Sequence, residues 1–193
     1  MPIVRLPKGE LRDEIRQPVY DSEDLVGGVS PVGEHNFFQS VSGKSLAQTN
    51  MTQPGAFETA KSFRLQGLAL DAMNFRPENI KVLPLVIERS SLNLKIGEKV
   101  YWQGCARFAC GRFWQNAATT AGEYLMQQLG IAAVQPVILA GRHAVDINPL
   151  QRFGVQWVID NMTAGEVAEA TPAAGTLIRV TLSLKGLLRR PVQ

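Results

Sequence analysis

Residues 177–193, LIRVTLSLKGLLRRPVQ, decide how the chain is read. Ile178, Val180, Leu182 and Leu184 are apolar, while Arg179, Thr181, Ser183 and Lys185 between them are polar or charged. Successive side chains of a strand point to opposite faces. The segment therefore predicts a β-strand with one face in a core and the other toward water or a partner. Gly186 and the run Leu187-Leu188-Arg189-Arg190-Pro191 follow, and these last residues are expected to fold into the body. The other strand-like segments are candidates to pair with this one.

Working back from that strand, Phe153, Val155, Trp157 and Ile159 alternate with Gly154, Gln156, Val158 and Asp160. Between the two strands, residues 164–175 (AGEVAEATPAAG) read as a loop of small residues. Residues 144–147 and 136–139 are shorter strand candidates. Leu92, Leu94 and Ile96 alternate with Asn93 and Lys95, and Gly97-Glu98-Lys99 turns the chain into Val100-Tyr101-Trp102, which predicts a hairpin. Residues 82–88 read as a strand interrupted by Pro84, at an edge or bulge. Residues 62–70 (SFRLQGLAL) predict a strand whose apolar second half is buried on both faces. Residues 108–114 are aromatic-rich and irregular. The one helix candidate is 117–130 (AATTAGEYLMQQLG), where Ala121, Leu125 and Leu129 fall four apart and Gly130 supplies a stop. About eight strands, one helical insertion and no βαβ rhythm argue for an all-β antiparallel sandwich or barrel.

The 193 residues suit one domain with an ordered arm, and 45% hydrophobic against 19% charged residues allows a substantial core. Residues 1–34 differ from the rest. Arg5, Lys8, Arg12 and Arg16 are interleaved with acidic residues, and residues 25–33 (LVGGVSPVG) are rich in Gly and Pro. They read as an extended N-terminal arm ordered by what it lies on, with the main domain at 35–193. The net charge of +3 is too mild to imply a nucleic-acid-binding protein by itself. No apolar run reaches the roughly 20 residues of a membrane span, and the first residues lack the apolar core of a secretion signal.

Catalytic patterns are sparse. Gly43-Lys44-Ser45 resembles the end of a phosphate-binding loop, but Phe38 stands where that motif needs a glycine, so the backbone cradle is missing. His35 and His143 are the only histidines and lie in turn-like settings without a nearby carboxylate in sequence. Asp71, Asp146 and Asp160 sit near strand ends, where turn chemistry alone favours aspartate. Cys105 and Cys110 are too few to form a metal site with two distant histidines, and they read as reduced thiols or a short-range disulfide. Asn50-Met51-Thr52 and Asn161-Met162-Thr163 match the glycosylation pattern by chance. Arg179, Lys185, Arg189 and Arg190 form a solvated basic strand face, which also offers phosphate contacts. The aromatic residues, spread over most strand candidates, read as core. No catalytic residue, cofactor or metal is expected.

Several stretches together resemble a known family. They are Phe37-Phe38 with Gly43-Lys44 and Thr49-Asn50-Met51, Phe63-Arg64-Leu65-Gln66-Gly67-Leu68, Leu92-Asn93-Leu94-Lys95-Ile96-Gly97-Glu98-Lys99, Asn148-Pro149-Leu150-Gln151-Arg152-Phe153, and the ending from Leu184 to Gln193. Over residues 36–193 the chain is similar in pattern and element order to the single jelly-roll capsid proteins of tailless icosahedral viruses, particularly of bacteriophages. The stretch 105–130 is longer than a simple turn in that pattern. The resemblance implies an eight-stranded antiparallel jelly-roll sandwich and a major capsid subunit that self-assembles into an icosahedral shell. Such a subunit would be made in the host cytoplasm and located in the virion. Its partners would be copies of itself and other virion proteins. It also implies non-specific contact with packaged nucleic acid or an internal membrane through Arg5, Lys8, Arg12 and Arg16. The alternatives are a minor shell protein such as a vertex or spike-base component, a carbohydrate- or ligand-binding β-sandwich, which would expose tryptophans, and a cupin-like enzyme, which His35 and His143 supply poorly.

Overall fold

The computed structural model describes residues 3–5, 11–74, 76–79, 81–118, 124–129, 137–138 and 144–191. They form an all-β, jelly-roll-like sandwich of two sheets. In chain order the elements are β1 (Ile3–Arg5), β2 (Leu11–Arg16), β3 (Val19–Val26), β4 (Gly33–Phe37), β5 (Ser62–Asn74), α1 (Val82–Glu88), β6 (Ser90–Ile96), β7 (Lys99–Cys105), β8 (Cys110–Ala118), β9 (Tyr124–Leu129), β10 (Val137–Ile138), β11 (Val145–Ile147), β12 (Phe153–Ile159), α2 (Ala164–Ala170) and β13 (Leu177–Pro191). Short 3₁₀ turns lie at Pro77–Asn79 and Ala106–Ala109. The nine-stranded sheet is ordered β1-β2-β13-β5-β8-β9, with β3 also on β13 and β10 and β11 also on β5. The four-stranded sheet is ordered β4-β12-β6-β7.

β13 is the centre of the larger sheet. One edge pairs with β5 from Arg179↔Met73 to Arg189↔Ser62. The other pairs with β3 from Leu177↔Val26 to Leu184↔Val19, and then with β2 from Leu187↔Arg16 to Pro191↔Arg12. Ile178, Val180, Leu182 and Leu184 are buried, as the alternation predicts. Opposite Lys185 and Gly186 the ladder skips Gln66, a bulge that shifts the inward row of β5 from Phe63 and Leu65 to Leu68, Leu70 and Ala72. Gly186 is required there, since a Cβ would lie 2.1 Å from the Arg64 carbonyl oxygen. Leu68, Ala69 and Leu70 are all fully buried, in keeping with a strand covered on both faces. From the smaller sheet Phe153, Val155, Trp157 and Ile159 meet Leu92, Leu94 and Ile96 in the same core. Trp157 stacks on Phe37 at 6.0 Å, and Phe57 on Phe153 at 5.0 Å.

The hairpin forms as predicted, with β6 and β7 paired from Ser91↔Cys105 to Ile96↔Lys99 around Gly97 at φ 60°. Three local expectations are corrected. Of the predicted helix at 117–130, residues 117–118 are instead the end of β8 and 124–129 are β9, antiparallel with Phe113↔Leu129 and Ala118↔Tyr124 in register, while residues 119–123 and 130 lie outside the described residues. β5 beyond Leu70 has a free ladder edge that β8 fills in parallel. This parallel pair departs from an otherwise antiparallel fold, and the described strands number thirteen, not eight. Residues 82–88 form a helix, not a strand, because Pro84 sits in its first turn, where no intrahelical bond needs its missing N–H. Residues 164–170, expected as loop, are α2. The Thr163 hydroxyl accepts from the Glu166 N–H while Glu166 reaches back to the Thr163 N–H, completing a capping box.

Of the residues expected as an extended arm ordered by what it lies on, β2 and β3 run along β13, Val19 and Leu25 are buried and Gly33 begins β4, while residues 1–2 and 6–10 lie outside the described residues.

Trp157 is completely buried in the core, so Trp157→Ala is expected to cost about 3–5 kcal/mol, read by denaturant unfolding. The Glu166 carboxyl is held below its ordinary value by the Thr163 backbone N–H and then by Arg89. A depressed folded value stabilises above the unfolded pKa and loses that contribution as pH falls through the folded one. Glu166→Gln should therefore flatten the acid side of the melting temperature against pH.

Candidate functional site

Among the described residues, the most concentrated charged chemistry lies at the edge of the core, beneath the loop that follows β4. Val19, Asp21, Glu23 and Leu25 alternate along β3 and share its inward face, so two carboxylates stand in an otherwise apolar row. Asp21 is completely buried. Lys44 Nζ donates to both Asp21 oxygens at 3.0 Å and to Glu23 Oε1 at 2.9 Å. The Phe38 N–H donates to Asp21 Oδ2 at 2.5 Å, from a residue at φ 70°. Burial works to lower the Lys44 pKa, and the hydrogen bonds to Glu23 and Asp21 outweigh it, so the ammonium is held above its ordinary value.

The rest of that loop is tied to the same strand. Asp21 and Thr49 form a β-bridge, and the Thr49 hydroxyl donates to the Tyr20 carbonyl. Asn50 accepts from the Tyr20 N–H and donates to the Pro18 carbonyl, and the Tyr20 hydroxyl donates to Leu46 O. Gly43-Lys44-Ser45 thus works as one half of a clasp and not as a phosphate loop. The motif marks the lysine in the sequence, but nothing there marks Asp21 and Glu23 as its partners.

A second feature is a polar cleft of 490 Å³ on the outer face of the four-stranded sheet, lined by Asn36, Gln39, Lys95, Arg152 and Gln156 among others. Asn36, Lys95 and Gln156 are the outward residues beside inward Phe37, Leu94 and Val155. Lys95 Nζ donates to Gln156 Oε1 at 3.4 Å. Gly154 forms the floor, where a Cβ would lie 2.3 Å from Gln39 Nε2.

The expected genome- or membrane-facing residues separate. Arg5 pairs with Leu11 and Arg12 with Val4 in the β1–β2 ladder, Arg16 is exposed at the end of β2 opposite Leu187, and Lys8 lies outside the described residues. Glu14 and Arg16 share one face of β2, so a carboxylate stands beside that basic residue. The basic residues of β13 are largely countered within the fold. Arg179 holds Asp24 at 2.8 and 3.0 Å, Arg189 lies 3.7 Å from Glu14 and 3.5 Å from Asp146, and Arg190 lies 3.8 Å from Asp13. Arg179, Arg189 and Arg190 of the face read as solvated and basic are therefore in ion pairs, while Lys185 is exposed.

The catalytic candidates do not converge. His35 Nε2 contacts the Pro31 carbonyl at 2.9 Å and its ring lies 5.2 Å from Trp157, while His143 is outside the described residues. Asp146 faces Arg189, and Asp160 accepts from the Asn161 side chain. Cys105 is a free, half-buried thiol. Among the described residues no group of three His, Cys, Asp or Glu could hold a metal ion.

No protein-family model matches the chain, and no curated protein matches it. A solved structure described as a crystal structure of a 60-mer BFDV capsid protein aligns over 93% of this chain and 93% of that one, with 8% identity and a TM-score of 0.29. That score is too low to establish a shared fold.

Removing the cation from the clasp strands a buried carboxylate, which typically costs about 3–5 kcal/mol. Lys44→Met should therefore lower stability by at least that much in chemical denaturation, and adding Asp21→Asn should return the part due to the stranded charge.

Proposed function

We propose that the chain is a virion structural protein, a major capsid subunit that self-assembles into an icosahedral shell around a genome, of the bacteriophage type its sequence resembles. It serves by assembly and not as an enzyme. The observation that most supports this reading is where the sandwich leaves large apolar side chains exposed. Val26 and Leu177 are register partners, 51% and 50% exposed, and Val29 and Val32 follow in the next loop. At the edge of the smaller sheet, Val100 and Tyr101 on β7 are exposed, with Phe108 just beyond it under the Arg107 guanidinium. Single apolar side chains on a surface are ordinary, but grouped ones favour contact with another protein, and an edge strand offers unpaired backbone groups as well.

Copies of the chain are the principal partners, with other virion proteins beside them. Arg5, Lys8, Arg12 and Arg16 face the genome or an internal membrane in this reading, and the exposure of Arg16 supports that role. No helix among the described residues is long and apolar enough to cross a membrane.

A second reading, a carbohydrate- or ligand-binding sandwich, draws on the cleft holding Lys95 and Arg152. It is weakened by Trp157, which is fully buried, and by Trp102, which is half-buried, since that reading calls for exposed tryptophans.

Mass measurement in solution and negative-stain imaging at raised concentration and salt distinguish the two. Pentamers, hexamers or closed shells are expected. Leu177→Glu and Tyr101→Glu should return monomers with an unchanged circular dichroism spectrum. A wild-type chain that stays monomeric under every condition would overturn the assembly reading, and binding on a glycan array lost in Lys95→Glu would establish the other.

A further inference from the structure

We infer that Asp21, Lys44 and Glu23 form a self-modification site, where Lys44 Nζ and the Asp21 carboxyl condense into an intramolecular isopeptide bond with Glu23 carrying the proton. The inference rests on the geometry of the clasp and is independent of the shell reading.

Each group the condensation needs is in place. The nucleophile stands 3.0 Å from both Asp21 oxygens, so Nζ lies in the plane that bisects the carboxyl group and contains Cγ. Holding two reactants at such separations replaces an improbable encounter with an intramolecular step. The Phe38 N–H, already on Oδ2, is a fixed backbone donor where negative charge develops during attack on Cγ. Glu23 Oε1, 2.9 Å from Nζ, is within reach to take and return a proton. Asp21 is sealed from solvent and Lys44 is only 14% exposed, so the water that would compete with the amine is largely excluded. Forming the amide also removes a buried carboxylate and a nearly buried ammonium from the interior.

The ion pair and the reactive state contain the same protons. Moving one proton from Nζ to Asp21 Oδ1 gives a neutral amine, a neutral carboxylic acid and an ionised Glu23. Nζ attacks Cγ, the N–C bond forms, and the carbonyl electron pair moves onto Oδ2 against the Phe38 N–H. Glu23 takes a proton from the bound nitrogen and passes it to the Oδ1 hydroxyl. The bond from Cγ to Oδ1 breaks, water leaves, and the pair on Oδ2 restores the carbonyl. The products are a secondary amide, one water and Glu23 in its starting state, with no oxidant or cofactor consumed. The bond ties β3 to the loop after β4 and closes a ring through residues 21–44. Such a closure limits the unfolded chain as a disulfide does.

The test is the intact mass of the purified, folded full chain under denaturing conditions, with peptide mapping after proteolysis. The wild type is expected at the sequence mass less one water, with the peptide containing Asp21 joined to the one containing Lys44. Lys44→Arg and Glu23→Gln should each restore the full mass. Glu23→Gln keeps the size of the side chain and the Lys44–Asp21 contact, so it decides the matter if Lys44→Arg does not fold. A folded wild type that keeps its full mass on prolonged incubation, with no joined peptide, would overturn the inference. So would a water loss that maps elsewhere or persists in both variants.

Discussion

The structure depends on one strand being hydrogen-bonded along both edges. β13 supplies the partner for β5 on one side and for β3 and β2 on the other, so the backbone groups of four strands are satisfied through it. Its inward side chains, Ile178, Val180, Leu182 and Leu184, form the floor of the core. The smaller sheet closes over that floor with Trp157 and its neighbours. A polar residue in the inward row would desolvate without a partner. A glycine in the wrong place would lose contact area, while at Gly186 only a glycine fits.

The edge of this core is handled differently from its centre. β3 continues the inward row but places Asp21 and Glu23 in it, and the loop after β4 delivers Lys44 to meet them. That charged clasp ties a long connection to the sheet, where apolar contact alone would leave the loop backbone unsatisfied. It also brings an amine, a buried carboxyl, a second carboxylate and a backbone donor into mutual reach. The same feature therefore serves packing and presents a set of groups suited to bond formation.

The outer surface is organised by pairing. Arg179, Arg189 and Arg190 each face an aspartate or glutamate across the ladder or on a neighbouring strand, so the basic C-terminal segment is largely neutral in the folded state. Positive charge outside these pairs includes Arg16 at the end of β2 and the cleft with Lys95 and Arg152. Apolar exposure gathers at the β3–β13 end and along β7, and the assembly reading draws on that distribution.

The sequence alone determined the elements whose pattern is complete within a few residues. The alternation of 178–184 and 153–159, and the turn at Gly97, each write one face into the core, because strand period is a local property. Thr163 and Glu166 also mark the start of α2 locally, but the small residues after them carry no apolar stripe to extend the signal. What the tertiary structure decided is what depends on a distant partner. Residues 110–118 and 124–129 became strands because β5 had an edge to fill. Pro84 fits a helix because it falls within the first turn of α1. The skipped Gln66 resets the phase of β5, because Gly186 must press against Arg64. Above all, Lys44 meets Asp21 and Glu23 across more than twenty residues of chain. No local spacing encodes such a meeting, since it exists only once two strands and a loop have closed on one another.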